Sequence, residues 1–386
     1  MENKEKEKEK SKMSYESLWK LVIRPERDNY TIKDLGNPKF TFLSRTYTRK
    51  DYDLLSSEGY IMKCSFFEPE INFRPKKTMP VILYLHGNSS SRLEGIGMLR
   101  EVLKRDINLF VVDFPGSGLS EGEYISLGYH ESYDVKVIVD FIEKIPGTGD
   151  IGLWGRSMGA ATCMIYAHRD ERIKCIVMDS PFADFNVLAK ELVLKQIKLP
   201  NLLIGGALKI VRMTILKKNG LDIEKLKPID SAPKTKQPAI FIHAVSDELI
   251  NNKHSDMLFA VYGGKEKKLL KCIGNHNTRR PSRIIREVGQ FFYDHLVNKV
   301  QNNNNKSNEE ANNIFNLDLN SEEDKVKEEK ENENQDLNKN NENSQNNEEK
   351  NEIKLNNNQI NDNKEESINT EQKIENKENK KDNNNQ

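Results

Sequence analysis

Short apolar runs alternate with amphipathic segments through the middle of the chain. Six of these runs have four to eight residues, are rich in Val, Ile, Leu and Phe, and show little alternation with polar residues. This pattern is typical of strands that helices cover on both faces. The predicted strands are Val81–Leu85, Ile107–Phe114, Ile151–Trp154, Ile173–Met178, Ala239–Ala244 and Lys268–Ile273.

Apolar residues at helical spacing predict helices over Ser132–Ile145 and Pro281–Val297. Strands and helices in alternation predict an α/β domain with a mostly parallel central sheet, right-handed crossovers and helices on both faces. Ligands of such sheets bind at the carboxyl ends of the strands. Upstream, Phe40–Tyr47 and Tyr60–Phe67 are predicted to be two antiparallel edge strands, and residues 14–35 an arm on the domain surface.

The composition changes at about Gln301. From there to Gln386 the chain holds 29 Asn, 22 acidic residues, 12 Lys and a single aromatic residue, Phe315. Such a segment buries too little apolar surface to offset the entropy of ordering it, so we predict that it is disordered. The expected organisation is a charged segment and arm over 1–35, an α/β domain over 36–298 and the tail over 299–386.

Charge and cysteine usage bear on the compartment. The chain carries 60 basic and 60 acidic residues, but the tail has a net charge of −10 and residues 1–300 have +10. The start, MENKEKEKEKSK, lacks the apolar core of a secretory signal, and no run of 18 apolar residues predicts a membrane span. Four cysteines without metal-ligand spacing suit a reducing compartment, so the expected location is the cytoplasm, with peripheral membrane contact as a further expectation. They are Cys64, Cys163, Cys175 and Cys272.

The stretch LWGRSMGAA, residues 153–161, places Ser157 between Gly155 and Gly159 at the end of a predicted strand. A serine hydroxyl needs a sharp turn that exposes it, a neighbouring base, and donors for the oxyanion that forms. Glycines two residues before and after permit such a turn, and the backbone amide of Met158 is then a predicted oxyanion donor. The alternative is an ordinary helix start capped by serine.

The carboxyl ends of later strands supply partners for this serine. Asp247 follows the strand Ala239–Ala244, and His276 follows the last predicted strand. In the order serine, acid, histidine, His276 is the predicted base and Asp247 the acid that orients it. Two alternatives stay open for the acid: Asp247 as an N-cap for a helix over 249–261, and Asp184 as the acid instead.

The other histidines are weaker candidates for the base. His254 and His295 each lie inside a predicted helix, and His295 is expected at the surface. His130, His168 and His243 are expected to be packing or surface residues.

The loop after the first parallel strand, His86-Gly87-Asn88, predicts the second oxyanion donor. Gly87 permits a tight turn that faces the amide of Asn88 to the oxyanion, although an ordinary strand-to-helix loop has the same sequence character. Gly116-Ser117-Gly118 lacks the GxGxxG pattern of a dinucleotide site, and no metal-ligand cluster occurs. We therefore expect no cofactor, no metal and no nucleic-acid partner.

Six motifs in order now resemble a known family. They are HGNSSSR, VVDFPGSGLSEGEY, LWGRSMGAA, MDSPFADF, FIHAVSDELI and GNHNTRRP. The chain resembles the α/β-hydrolase superfamily over about Leu18 to Val297, and within it the serine aminopeptidase-like branch, which is akin to cytosolic depalmitoylating hydrolases. The resemblance implies the α/β-hydrolase fold with a Ser157–Asp247–His276 triad.

The insertion at about 182–232 departs from the aminopeptidases of this fold. Those carry a sizeable cap with acidic residues that hold the substrate's amine, whereas this insertion is short and rich in Lys. Ester or thioester cleavage is therefore at least as well supported as peptide cleavage. The predicted helix Leu203–Lys218 has one apolar face, and Lys190, Lys195 and Lys198 precede it. It is either a lid with a solvated basic edge or a lid that contacts an anionic membrane.

The sequence thus predicts a serine hydrolase that cleaves an acyl ester, thioester or amide through an acyl-serine intermediate. The expected substrate is an acylated small molecule or a lipidated protein. A catalytically silent scaffold that binds partners through its tail is the alternative, but a scaffold has no need of this constellation. Acyl transfer to an acceptor other than water would use the same intermediate.

Overall fold

The computed structural model describes residues 19–20, 22–196 and 201–298, without the side chains of 193–196, 201–204, 207 and 208. The predicted tail lies outside these ranges, and so does Lys198, which precedes the predicted lid helix. Within them, nine strands form one mixed sheet.

The strands and helices follow the apolar pattern of the sequence closely. The strands are β1 Lys39–Phe42, β2 Arg45–Leu55, β3 Ile61–Pro69, β4 Met79–Leu85, β5 Asn108–Val112, β6 Thr148–Arg156, β7 Ile173–Asp179, β8 Ala239–Ala244 and β9 Lys267–Cys272. Their order in the sheet is β1-β2-β3-β5-β4-β6-β7-β8-β9. Strands β1, β2, β3 and β5 pair antiparallel, and strands β5, β4, β6, β7, β8 and β9 pair parallel. The helices are α1 Leu93–Ile96, α2 Leu99–Leu103, α3 Glu131–Ile142, α4 Met158–Ala167, α5 Phe185–Gln196, α6 Asn201–Asn219, α7 Lys253–Val261 and α8 Ser282–Phe292. Short 3-10 turns are Ile32–Leu35, Ile71–Phe73, Ile223–Lys225 and Pro228–Asp230, and a π turn at Tyr293–Val297 follows α8.

The prediction of a single strand over Phe40–Tyr47 is wrong. Leu43 and Ser44 adopt left-handed backbone conformations, with φ of 47° and 59°. They form a tight turn, so the segment folds back as the β1–β2 hairpin, in which Phe42 pairs with Arg45. Neither residue is a glycine, the usual sequence signal for such a turn, which is why the apolar pattern looked continuous.

Two apolar layers cover the sheet, as the buried strands require. One layer buries residues of α3 and α4, such as Ile138 and Ala160, and the other buries residues of α2 and α8, such as Val102 and Phe292. The predicted surface arm contributes to the first layer, because Ile23 is fully buried. Among the described residues, none of the helices combines the length and apolar character needed to cross a bilayer.

The sheet has a topological switch point at β4. Strand β5 follows β4 in the chain and pairs on one side of it, while β6 pairs on the other side. Loops that leave β4 and β6 at their carboxyl ends therefore diverge to opposite faces and open a crevice between them, where ligands of such sheets bind. Leu85 at the end of β4 pairs with Gly155, two residues before Ser157.

A buried carboxylate joins helix α3 to the β2–β3 turn. Asp134 is 1% exposed, and its Oδ1 accepts hydrogen bonds from the backbone N (2.8 Å) and the hydroxyl (2.7 Å) of Ser57. Burial raises the pKa of Asp134 to about 6, although the Ser57 hydrogen bonds oppose the rise. The ionised form is therefore less stable in the fold than in the unfolded chain.

We predict that Asp134→Asn removes a pH-dependent loss of stability. An unfolded aspartate has a pKa of about 4. Through Asp134, the native protein therefore loses stability as the pH rises from about 4 to about 6, and loses no more above that range. Relative to the wild type, the free energy of unfolding of Asp134→Asn should be about 1–3 kcal/mol higher at pH 7 than at pH 4, measured by urea unfolding.

Asp140 on the same helix is the matched control. Its carboxylate is paired with Lys136 and Arg172, which lowers its pKa. Asp140→Asn should therefore lower the free energy of unfolding more at pH 7 than at pH 4. Equal effects of Asp134→Asn at the two pH values would contradict the predicted shift.

Candidate active site

Ser157 lies at a strained turn between β6 and α4. Its backbone adopts φ 52° and ψ −113°, a region that residues with a side chain rarely occupy. Its amide donates to the Asp179 carbonyl oxygen (2.7 Å), and its own carbonyl oxygen accepts from the amide of Ala161 (3.0 Å). The turn therefore lifts the serine side chain out of the sheet at the positive end of helix α4.

The two flanking glycines are required by close backbone approach. A Cβ on Gly155 would lie 2.2 Å from the Gly159 carbonyl oxygen, and a Cβ on Gly159 would lie 2.0 Å from the Leu85 carbonyl oxygen. Both distances are far inside van der Waals contact with rigid backbone. The sequence argument that this turn tolerates almost no side chain at the flanking positions therefore has a specific physical cause.

The structure brings Ser157, His276 and Asp247 together in one hydrogen-bonded chain. The His276 Nε2 atom lies 3.1 Å from the Ser157 Oγ atom, and Nδ1 lies 2.7 Å from Asp247 Oδ2. A carboxylate only accepts hydrogen bonds, so Nδ1 carries the proton in the neutral ring and Nε2 accepts from the serine hydroxyl. All three residues are at least 93% buried.

The two oxygens of Asp247 have different partners. Oδ1 accepts from the amides of Leu249 (3.0 Å) and Ile250 (2.8 Å), and Oδ2 faces His276. Burial alone would raise the pKa of Asp247, but hydrogen bonds from His243 and His276 outweigh it and lower the pKa below its usual range. Asp247 is therefore ionised at neutral pH.

His243, which the sequence suggested to be a packing or surface residue, contacts the same carboxylate. It is fully buried on β8, and its Nε2 atom lies 3.3 Å from Asp247 Oδ2 and 2.9 Å from the Ile250 carbonyl oxygen. Its Nδ1 atom lies 2.6 Å from the Ser255 hydroxyl. Because a carbonyl oxygen only accepts, the neutral ring carries its proton on Nε2 and presents a donor to Asp247.

Neither of the two alternatives left open for the acid has this geometry. Helix α7 begins at Lys253, so Asp247 is not its N-cap. Asp184 accepts instead from the amide of Asn186 (2.7 Å) at the start of α5, and its carboxylate lies 3.6 Å from Lys227 Nζ.

The rival histidines also have other partners. His254 is buried on α7, accepts at Nδ1 from the amide of Ala183 (3.2 Å), and has Nε2 3.4 Å from Glu191. His295 lies in the π turn after α8, with Nε2 2.9 Å from Glu266 Oε1.

The two residues predicted to donate to the oxyanion lie on neighbouring segments of the site. Met158 is the first residue of α4, and Asn88 lies in the loop that begins directly after β4, beside the serine turn. Within the described ranges, neither backbone amide has a protein acceptor. The side-chain Oδ1 of Asn88 is buried and also lacks a partner among the described residues. Both amides thus retain an unused N–H donor in this structure.

Four charged side chains around the site were not predicted from the sequence. Arg156 contacts Glu94, and Arg280 donates through Nε to both oxygens of Asp179, each at 2.9 Å. These arginines also donate to the backbone of the loop that carries His276. The position of Arg156 inside the motif GRSMG was the one local signal, because a large cation beside a buried serine needs a partner.

This constellation is equipped for acyl transfer. It contains a hydroxyl on a strained turn, an imidazole within hydrogen-bond distance of that hydroxyl, a carboxylate within hydrogen-bond distance of the imidazole, and two backbone amides without a protein acceptor among the described residues.

Comparison with known proteins shows what this architecture is similar to. A model of the alpha/beta hydrolase fold matches residues 80–201. YqkD of Bacillus subtilis (strain 168) is 24% identical over 289 residues, which cover 73% of this chain and 92% of that protein. The alpha/beta hydrolase domain-containing protein WAV2 of Arabidopsis thaliana is 26% identical over 223 residues, which cover 55% of this chain and 66% of that protein.

Solved structures share the fold. The esterase Pf2001 of Pyrococcus furiosus superposes with a TM-score of 0.55 and 21% sequence identity, over 71% of this chain and 98% of that one. The fold is that of the α/β hydrolases. The family model and the shared fold together support the resemblance to the α/β-hydrolase superfamily that the six ordered motifs suggested.

We predict that Ser157→Gly is more stable than Ser157→Ala. Alanine keeps the strain of a positive φ at this position, about 1–3 kcal/mol, whereas glycine relieves it and loses about 0.4–1 kcal/mol through the unfolded state. Urea unfolding should therefore favour glycine by about 1 kcal/mol. Ser132, buried in helix α3, is the control, because there alanine should be favoured by about 1 kcal/mol. Greater stability of Ser157→Ala would contradict the strained turn.

Proposed function

We propose that this protein is a serine hydrolase that cleaves an acyl ester or thioester through an acyl-serine intermediate. The observation that carries the proposal is the position of the His276 ring, which lies within hydrogen-bond distance of both Ser157 Oγ and Asp247 Oδ2. A purely structural role does not account well for a buried serine, histidine and ionised aspartate in contact with one another. The turn that holds the serine is strained, and backbone strain of this kind is concentrated at functional sites.

In the first half of the reaction, the Ser157 oxygen attacks the carbonyl carbon of the substrate. His276 Nε2 takes the hydroxyl proton as the oxygen–carbon bond forms. The carbonyl π electrons move to the carbonyl oxygen and give a tetrahedral oxyanion. When that oxyanion collapses, the alcohol or thiol leaves with the proton from His276, and the acyl group stays on Ser157.

In the second half, a water molecule replaces the leaving group. His276 accepts a proton from the water while the water oxygen attacks the acyl carbon, and then returns that proton to Ser157 Oγ as the acid is released. In both halves Asp247 stabilises the imidazolium. Its lowered pKa keeps it ionised through the cycle.

The backbone amides of Asn88 and Met158 are the proposed donors to the oxyanion. A single oxyanion donor contributes about 10²–10³-fold to turnover in enzymes of this type. The start of helix α4 at Met158 adds the positive end of its dipole at the same place. Backbone donors need no reorganisation when the charge develops.

The insertion supports an acyl substrate over a peptide amine. Arg212 is engaged by Asp222 (2.9 Å) and by Glu224, so these two acidic side chains already have a cationic partner within the insertion. The fold neighbour from Pyrococcus furiosus is named an esterase, which supports an ester or thioester as the proposed substrate class.

The outer face of helix α6 suggests where the acyl chain comes from. Ile210 and Met213 are more than half exposed, and Leu216 is 38% exposed. Lys209 and Lys217 are exposed on the same side, and the helix contains no acidic residue. An exposed apolar stripe flanked by cations is the pattern of an interfacial helix, so we propose that α6 contacts an anionic membrane surface.

We predict that loss of the acid or the base removes turnover but not folding. Asp247→Asn and His276→Ala should each lower kcat on a short p-nitrophenyl ester by about 10³-fold or more, because the imidazole loses its orientation or is absent. Ser157→Ala should lose labelling by a fluorophosphonate probe. Esters, thioesters and aminoacyl amides of graded chain length, assayed side by side, then assign the leaving group.

Asp184→Asn is the matched control for the acid, because Asp184 follows the neighbouring strand and does not contact His276. It should retain kcat within about threefold. A larger loss from Asp184→Asn than from Asp247→Asn would reverse the assignment, and undiminished labelling of Ser157→Ala would remove the serine from its role.

We predict that Met213→Glu weakens binding to anionic vesicles. The change removes an apolar contact and gives the protein a negative charge, which the anionic lipid repels. The bound fraction of the full chain should therefore fall about tenfold in flotation with phosphatidylserine-containing vesicles. Binding should also fall as salt rises. Ile71→Glu is the control, since Ile71 is 77% exposed on a 3-10 turn outside the insertion. Equal effects of the two substitutions would contradict a specific contact by α6.

A further inference from the structure

One guanidinium, together with its partner carboxylate, connects three loops of the site. Arg156 immediately precedes Ser157, so its backbone belongs to the serine turn. Its Nη2 atom donates to the carbonyl oxygen of His276 (2.9 Å) and to Asn277 Oδ1 (2.8 Å). Its Nη1 atom donates to Glu94 Oε1 (2.6 Å). The guanidinium therefore connects the turn that carries the nucleophile to the loop that carries the base.

The partner carboxylate extends this connection to the third loop. Glu94 lies on α1, and its second oxygen, Oε2, accepts the backbone N–H of Gly87 at 2.8 Å. Gly87 precedes Asn88, whose amide is the proposed oxyanion donor. The two oxygens of Glu94 thus act separately, since Oε1 binds Arg156 and Oε2 fixes the peptide next to the donor.

The pair is sheltered from solvent. The side chains of Arg156 and Glu94 are 21% and 15% exposed. Their opposite charges largely cancel in the field at Ser157, so a direct electrostatic effect on the oxyanion is small. The geometry favours a positional effect, and misplacement of a reacting group by about 1 Å costs about 10²-fold in rate.

We propose that Arg156 and Glu94 are positioning residues that hold the His276 loop and the oxyanion loop in register with Ser157. The inference rests on the proposed serine hydrolase function. The pair acts through His276 and Asn88 and does not itself touch the reacting atoms. It should therefore govern kcat and the binding of tetrahedral analogues, and have little effect on KM.

Glu94→Gln separates the two halves of the connection. A glutamine places an NH2 donor where one of the two carboxylate oxygens of Glu94 lies, so it cannot offer an acceptor at both positions, one to Arg156 and one to Gly87. We expect kcat on a short p-nitrophenyl ester to fall about 10–10²-fold with KM within about threefold. The affinity for an aryl trifluoromethyl ketone, which forms a tetrahedral adduct on serine, should fall by the same factor as kcat.

The charge-swapped double variant, Arg156→Glu with Glu94→Arg, separates positioning from simple ion pairing. It restores an opposite-charge pair but places a carboxylate against the His276 carbonyl oxygen and a guanidinium against the Gly87 amide. If the pair positions the loops, the swap recovers thermal stability without recovering kcat. Recovery of kcat by the swap would overturn the proposal, because a non-specific salt bridge would then be sufficient.

The control is another sheltered Arg–Glu pair. Glu101 and Arg105 on and after α2 have side chains 11% and 15% exposed and pair with each other. Glu101→Gln should leave kcat and analogue affinity unchanged at a comparable loss of melting temperature. Where Glu94→Gln folds poorly, Arg156→Lys provides the same test, because lysine lacks the fork that reaches both His276 and Glu94.

The outcomes distinguish this inference from the function on which it rests. If wild-type protein hydrolyses the ester and Ser157→Ala does not, the function holds. Full kcat in both Glu94→Gln and Arg156→Lys then refutes the positioning role alone. An inactive wild-type protein refutes both.

Discussion

The serine turn lies so close to the end of β4 that no side chain fits between them. The Leu85 carbonyl oxygen occupies the space that a Cβ on Gly159 would need. This contact holds the first turn of α4 against the sheet, directly after Ser157, which has a positive φ. Close packing of the surrounding backbone keeps this strained conformation in place. The same contact brings the loop after β4 beside the serine.

Two polar networks complete the site from opposite sides. On one side, Asp247 divides its oxygens between the backbone amides of its own loop and the His276 ring, with His243 as a further donor. On the other side, arginine side chains hold the His276 loop through its carbonyl oxygens. The imidazole is therefore fixed both at its ring and at its backbone. Low dielectric surroundings strengthen such networks when every member has a partner.

The sequence was most informative where a residue type has few structural uses. Glycines at 155 and 159, with a serine between them at the end of an apolar run, predicted the turn because little else requires that spacing. Asp247 and His276 were predicted from their positions after strands, and the structure brings both to Ser157. The same reasoning did not find the role of His243 or the Arg156–Glu94 pair. His243 lies four residues before Asp247 at the end of a strand, where that spacing does not predict a contact, and Glu94 lies 62 residues before Arg156. Only the position of Arg156 beside the serine indicated that it needs a partner.

Contacts on two sides fix the orientation of helix α6 in the insertion. Val211 and Ile215 face inward on α6 and are almost fully buried. Arg212 is held by Asp222, and Lys218 lies over the Trp19 ring at 4.5 Å from its centre. These contacts on two sides prevent the helix from rotating about its axis, so the apolar stripe that includes Met213 is held outward. Rotation that buried this stripe would expose Val211 and Ile215 in exchange, so it would gain little burial of apolar surface. The anchored orientation therefore keeps the stripe available for the membrane contact proposed above.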